Sequence, residues 1–89
     1  MIQILQTNQF KKKYKKLPDN VRSEVNDAIR LVCNDTRIGQ EKKGDLAGIR
    51  VYKFKIQTLQ LLLAYRLIDQ NTVLLEMVGS HENFYRDLN

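Results

Sequence analysis

The side chains best suited to chemistry lie in two short stretches of the sequence, "RVYKFK" and "GSHENFY". The first contains Lys53 and Lys55, and the second contains the only histidine of the chain, His81, four residues before Tyr85. Two neighbouring ammonium groups attract a phosphate, and an imidazole can take a proton from a hydroxyl group and return one to a leaving oxygen. These side chains could together cleave a phosphodiester. The spacing alone is more typical of solvated lysines and of a structural or exposed histidine.

The stretch "IRVYKFKI" alternates as a strand does, and successive side chains of a strand point to opposite faces of the sheet. One face would carry Tyr52, Phe54 and Ile56. The other face would carry Val51, Lys53, Lys55 and Gln57. We expect the aromatic face to pack on helices and the lysine face to stay open, with the two lysines about 7 Å apart.

Two helices are predicted before this strand, after a short first strand "IQIL". Phe10, Tyr14 and Leu17 have the spacing of one helical face, and lysines cover the remaining sides of that helix. Pro18 ends the first helix and suits the start of the second. The apolar face of the second helix is formed by Val21, Val25, Ile29 and Val32.

Residues 34–48 are polar and contain three of the four glycines, which predicts a loop. "LQLLLAYRLI" and "TVLLEMVG" are predicted strands joined by a hairpin turn at "DQN", and a short helical turn follows in the tail. The order is β-α-α-β-β-β. We therefore predict an α+β fold in which an N-terminal strand and an α-helical hairpin pack on a largely antiparallel four-stranded sheet.

The composition limits the class of protein. A chain of 89 residues with 43% apolar and 28% charged residues is one soluble domain, residues 1–89. It contains neither a long apolar segment nor a signal peptide, so we expect a cytoplasmic protein that does not enter a membrane. The single cysteine, Cys33, excludes an internal disulfide; its place on a helical apolar face favours a core residue over a reactive thiol. No ligand spacing indicates a metal, and no cofactor is expected.

The net charge of +5 favours a polyanionic partner such as RNA, DNA, the ribosome or an acidic protein. The lysine run of the first helix could bind a nucleic-acid backbone without reading its sequence, or it could be an ordinary solvated helix face.

At these residues the chain resembles the RelE/ParE superfamily of bacterial toxins from type II toxin–antitoxin systems. "FKKKYKKLP" is similar to the first helix and its stop, and "RIGQEKKGDLAGIRVYKFK" is similar to the loop and strand that follow the helical hairpin. "LLLAYR" matches the next strand, and "VGSHENFY" matches the last strand and tail. The tail is closest to the "G-[ST]-H-x-x-x-[FY]" pattern of YafQ-like nucleases.

The resemblance implies an activity and a set of site residues. RelE-like members cut messenger RNA, commonly in the ribosomal A site, whereas ParE-like members inhibit DNA gyrase and generally lack the nuclease residues. Carried over to this chain, the catalytic residues are Lys53, Lys55, His81 and Tyr85. RelE-like proteins also have an arginine where this chain has Leu62, so Arg50 or Arg66 is expected to supply the substrate-binding charge instead.

The sequence thus predicts an mRNA endoribonuclease toxin that uses the 2′-hydroxyl of its substrate, with His81 or one of the lysines as the base. The expected partners are a cognate antitoxin, mRNA and the ribosome, in a homodimer or a toxin–antitoxin hetero-oligomer. The alternatives are a ParE-like inhibitor of gyrase and a plain basic nucleic-acid-binding module.

Overall fold

A computed structural model describes residues 2–80 and Phe84. The chain begins with strand β1 (Gln3–Gln6), followed by helices α1 (Asn8–Lys15) and α2 (Asp19–Asn34). A short strand β2 (Gln40–Glu41) and one 3₁₀ turn (Gly44–Leu46) precede strands β3 (Ile49–Ile56), β4 (Leu59–Asp69) and β5 (Thr72–Ser80). The α+β class is confirmed. The predicted terminal helical turn, apart from Phe84, lies outside the described residues.

The five strands form one sheet in the order β1-β5-β4-β3-β2. β1 runs parallel to β5, and the other neighbours are antiparallel. The sheet therefore has one strand more than predicted. The additional strand, β2, lies in the segment predicted as a loop and pairs only Gln40 with Val51 and Glu41 with Arg50. Two residues are too few to show the alternation from which a strand is predicted.

Both predicted helices are present, and the connection between them ends at Pro18. Thr7 caps α1, since its Oγ1 accepts a hydrogen bond from the backbone N–H of Phe10 at 3.0 Å. Pro18 is the residue immediately before α2, where its fixed φ and missing N–H cost no helical hydrogen bond. No helix among residues 2–80 is long and apolar enough to cross a membrane.

The main core lies between the helices and one face of the sheet. Phe10, Val25 and Val32 from the helices are almost fully buried there, and Tyr52, Phe54 and Ile56 of β3 pack against this cluster as predicted. Cys33 is half-buried at the end of α2, and burial raises the pKa of its thiol, which keeps the thiol protonated at neutral pH.

The opposite face of the sheet is not open along its whole length, which corrects the prediction. A second, smaller apolar cluster covers part of it. This second cluster consists of Ile49, Val51, Leu62, Ala64, Met77 and Phe84. The alternation of β3 could not reveal it, because Phe84 comes from the other end of the chain.

Candidate active site

Lys53 and Lys55 are both exposed and lie on the face that carries the second cluster. Lys53 stands directly opposite Leu62 of β4, and Lys55 stands opposite Gln60. The strand alternation beyond Val51 directs both side chains from the backbone toward this face, at the end of β3 farthest from β2. Both lysines are accessible from solvent.

Lys53 belongs to a row of residues that runs across three strands. Leu62 pairs with Lys53 on one side and with Gly79 of β5 on the other. Residues directly opposite each other in a sheet share a face. We name Lys53, Leu62 and Gly79 the lysine row. Its β5 end lies two residues before His81 in the sequence.

The tail returns to the same face. A Cβ built on Gly79 would lie 3.7 Å from Cδ1 of Phe84, so the Phe84 ring lies on the side of the sheet to which Leu62 and Lys53 point. Phe84 is only 2% exposed. His81 and Tyr85 themselves lie outside the described residues. Their flanking residues Ser80 and Phe84 both lie at the β5 end of the lysine row.

Arg66 shares the face of the lysines but lies at a distance from them. It is four residues along β4 from Leu62, which is about 13 Å in a strand. Its Nε donates to Oε2 of Glu76 at 3.1 Å, and its Nη1 lies 3.0 Å from the position that a Cβ on Gly48 would take. Arg66 is therefore held by an ion pair beyond the second cluster.

Arg50 lies on the opposite face of the sheet, directly across from Tyr65. Its Nη1 donates to the backbone carbonyl of Gly39 at 2.8 Å and to that of Arg37 at 3.4 Å. The structure thus does not bring Arg50 together with the lysines. Between the two arginines proposed from the sequence, the geometry favours Arg66.

Two residues near the site were not singled out from the sequence. Phe84 fills the second cluster, and Glu76 holds Arg66. Each residue differs from its sequence neighbours, since Phe84 is an aromatic residue in a polar tail and Glu76 is the one charge within the apolar stretch "TVLLEMVG". This difference does not predict what either side chain contacts.

The described residues contain no group of three histidine, cysteine, aspartate or glutamate side chains that could hold a metal ion. What this face offers is cationic charge. Two lysines and an arginine stand on one side of the sheet, with Glu76 beside the arginine. Such an arrangement is able to bind the phosphates of a polyanion.

The sequence profile of a family described as "ParE-like toxin of type II bacterial toxin-antitoxin system" matches residues 4–89. The match spans nearly the whole chain, including both helices, the sheet and the tail. The chain belongs to this family, and it is a toxin of a type II toxin–antitoxin system. No curated protein matches its sequence.

Solved structures of the RelE group share the fold. A chain of the intact RelBE toxin–antitoxin complex from E. coli is 24% identical, with a TM-score of 0.72 over 92% of this chain and 99% of that chain. A chain of the RelBE2 complex from Mycobacterium tuberculosis is 22% identical, with a TM-score of 0.76 over 90% of this chain and 98% of that one. The isolated E. coli RelE toxin is 24% identical, with a TM-score of 0.71 over 92% of this chain and 86% of its own.

Proposed function

We propose that this toxin is an endoribonuclease that cleaves messenger RNA, using the 2′-hydroxyl of the substrate as the nucleophile and no metal ion. The observation that carries the proposal is the lysine row. It puts the exposed Lys53 on the sheet face to which Phe84 of the tail returns. Its β5 end, Gly79, lies two residues before His81 in sequence. Phosphate-binding cations and a group able to transfer protons are the two requirements of this reaction.

In the proposed mechanism the protein orients groups that the RNA already holds next to each other. A base takes the proton of the 2′-hydroxyl, the 2′-oxygen bonds to phosphorus, and the bond from phosphorus to the 5′-oxygen breaks. The leaving oxygen receives a proton from the acid, and the products are a 2′,3′-cyclic phosphate and a free 5′-hydroxyl.

Lys53 and Lys55 stabilise the negative charge that grows on the phosphate oxygens. His81 is the general acid, and the base is a lysine or, with exchanged roles, His81. Tyr85 stacks on a base of the RNA, as aromatic side chains do in readers of single strands. Arg66 adds a cation for a neighbouring phosphate once its pair with Glu76 opens.

We also propose the partners and the place of action. The family is one of toxins paired with antitoxins, and two of the structural neighbours are toxin–antitoxin complexes. A cognate antitoxin with acidic residues would complement the basic surface in a hetero-oligomer. The substrate is mRNA in the cytoplasm, in the A site of the ribosome.

The test measures cleavage of mRNA, both free and bound to ribosomes, by purified protein and by His81→Ala. General acid–base catalysis contributes roughly 10²–10⁴-fold, so we expect His81→Ala to lose activity on that order. Lys53→Ala should also lose activity, because it removes phosphate stabilisation. Lys43→Ala is the matched control, since it removes the same charge from an exposed lysine of the segment before β3 and should cleave normally.

Cleavage by His81→Ala at the wild-type rate would refute the role of histidine.

The second candidate is inhibition of DNA gyrase, which the ParE-like description of the family favours. It predicts that induced cells show DNA damage with intact transcripts, and that His81→Ala stays as toxic as the wild type. Mapping 5′ ends of transcripts after induction separates the two functions.

A further inference from the structure

We propose that Phe84 is a positioning residue, which anchors the C-terminal end of the chain to the lysine-bearing face of the sheet and so sets the distance between tail and lysines. The inference rests on the proposed function for its catalytic meaning. Its structural basis is independent of that function and consists of the burial of Phe84, the position of its ring over Gly79 and the row to which Gly79 belongs.

The burial of Phe84 is unusual for its place in the sequence. Five residues follow it in a tail that otherwise contains mostly polar residues. Nevertheless Phe84 is as buried as the strand residues beside it, at 2% exposed against 0% for Leu62 and 1% for Met77. A chain end gains a fixed position only where it is tied down by such contacts.

The position of the ring over Gly79 shows which face of the sheet is involved. A Cβ built on Gly79 would point to the face of Leu62 and would lie 3.7 Å from Cδ1 of Phe84. Gly79 pairs with Leu62, and Leu62 pairs with Lys53. The ring of Phe84 therefore lies at the β5 end of the lysine row.

Leu62 is an apolar neighbour of Phe84 in the second cluster. It is completely buried between Lys53 and Gly79 and belongs to the same cluster as Phe84. A charged side chain at this position would need water or a counter-ion, and a closely packed ring over it would remove both. A buried Phe84 is thus compatible with an apolar residue at position 62 and not with a charged one.

Only a short stretch of chain separates Phe84 from the end of β5. Ser80, paired with Leu61, is the last residue of β5, and Phe84 follows four residues later. Four residues span at most about 14 Å even when fully extended. Ser80 and Phe84 both lie at the β5 end of the lysine row, and His81 stands between them in the sequence. Tyr85 follows Phe84 directly.

The first test uses Phe84→Ala and Phe84→Leu in RNA cleavage. Loss of alignment costs on the order of 10²-fold in rate when reacting groups are misplaced by about 1 Å, so we expect Phe84→Ala to lower kcat by that order with KM little changed. Phe84→Leu keeps an apolar anchor and should restore most of the rate. Loss of activity in both variants to the same degree would refute an anchoring role.

A double variant separates positioning from general destabilisation. If Phe84 acts through His81, then Phe84→Ala combined with His81→Ala should be no slower than His81→Ala alone. Losses that multiply would contradict the proposal. Val32→Ala is the control for stability, because Val32 is fully buried in the main core on the other face of the sheet. It should destabilise the fold while leaving kcat unchanged in the folded protein.

A second readout does not depend on nuclease activity. The chain has one histidine, so the imidazole Hε1 gives one proton resonance that needs no assignment among several. We expect this resonance in Phe84→Ala and in Leu62→Arg to move to the position found in an unstructured peptide, and in Phe84→Leu to stay near that of the wild type. An unchanged resonance in Phe84→Ala would overturn the anchor. If instead His81→Ala cleaves RNA normally while the resonance shifts as expected, the proposed function fails and the anchor stands.

Discussion

At the scale of single residues, Tyr65 shows how one buried hydroxyl group holds a loop in place. Its side chain is completely buried, and its phenol donates to the carbonyl of Thr36 at 2.8 Å and accepts from the N–H of Gly39 at 2.9 Å. A Cβ on Gly39 would lie 2.8 Å from the phenol, so only glycine allows this approach. The loop after α2 is thereby tied to β4.

Tyr65→Phe should lower the free energy of unfolding by about 1–3 kcal/mol, because it leaves the buried N–H of Gly39 without a partner. The measurement is urea denaturation at neutral pH. Tyr14→Phe is the matched control, since Tyr14 donates to Asn26 at 2.7 Å in a partly exposed place where water can replace it. Equal losses in the two variants would show that the burial of Tyr65 does not matter.

Tyr65→Phe and Tyr14→Phe also test how the stability of the protein depends on pH. Burial raises the pKa of Tyr65 above its usual value near 10, against the smaller lowering effects of the Gly39 N–H and of Arg50. The folded protein therefore holds this proton more tightly than the unfolded chain does. This contribution to stability is complete below about pH 10 and is lost as the pH rises further. Stability at high pH should fall less steeply in Tyr65→Phe than in Tyr14→Phe.

At the scale of secondary structure elements, Thr7 joins α1 to the sheet. Its Oγ1 caps the helix at Phe10 and donates to the carbonyl of Glu76 at 2.8 Å, while its N–H donates to the carbonyl of Leu75 at 3.1 Å. The register of β4 and β5 shifts at this point, since Ala64 pairs with Met77 and Tyr65 with Leu75. Glu76 is the additional residue of this bulge, and its carboxylate holds Arg66.

Thr7→Ala should destabilise the protein by about 0.5–2 kcal/mol, the usual cost of losing a cap, and should lower the melting temperature by several degrees. Thermal unfolding followed by circular dichroism measures the loss. Thr7→Ser retains the hydroxyl group and is the control. A serine variant that loses as much as the alanine variant would show that the methyl group, not the hydroxyl, matters here.

The elements that could be predicted from the sequence are those with a regular repeat. Helical spacing placed Phe10 and Val25 in the core, and Pro18 marked the break between the helices. The turn at residues 57–58 had no such signal, because Gln57 adopts a φ of 55° without being glycine. The pairing of β3 with β4 follows from that turn, and the pairing decides which residue of β4 stands opposite each residue of β3.

The candidate site could be predicted only in part, for the same reason. The side of the sheet taken by Lys53 and Lys55 follows from alternation within one strand. The same alternation puts Arg50 on the opposite face, a consequence that the sequence analysis did not draw, and the carbonyls of Gly39 and Arg37 then hold its guanidinium there. The burial of Phe84 depends on three strands at once, and no local pattern contains that information.

At the scale of the whole molecule, the excess of cations over anions sets the salt dependence expected for the proposed binding to RNA. The net charge is +5, and the proposed site places Lys53 and Lys55 together on one face. Binding to single-stranded RNA should therefore weaken with salt, with a logarithmic slope of about −0.7 for each phosphate neutralised.

We expect Lys53→Gln combined with Lys55→Gln to reduce this slope by about 1.4, measured with the inactive His81→Ala protein as background. Lys43→Gln is the control for removing an exposed charge elsewhere and should leave the slope unchanged. A slope that is the same with and without the two lysines would contradict their role as phosphate ligands.

The pairing of β1 with β5 has a consequence for how the toxin is made. Gln3 stands beside Thr72, so β1 finds its partner strand only after both helices and strands β2 to β4 have been synthesised. Phe84 packs later still, since the second cluster includes residues of β3, β4 and β5. A nascent chain thus contains neither a finished sheet nor a packed Phe84 until these elements have left the ribosome.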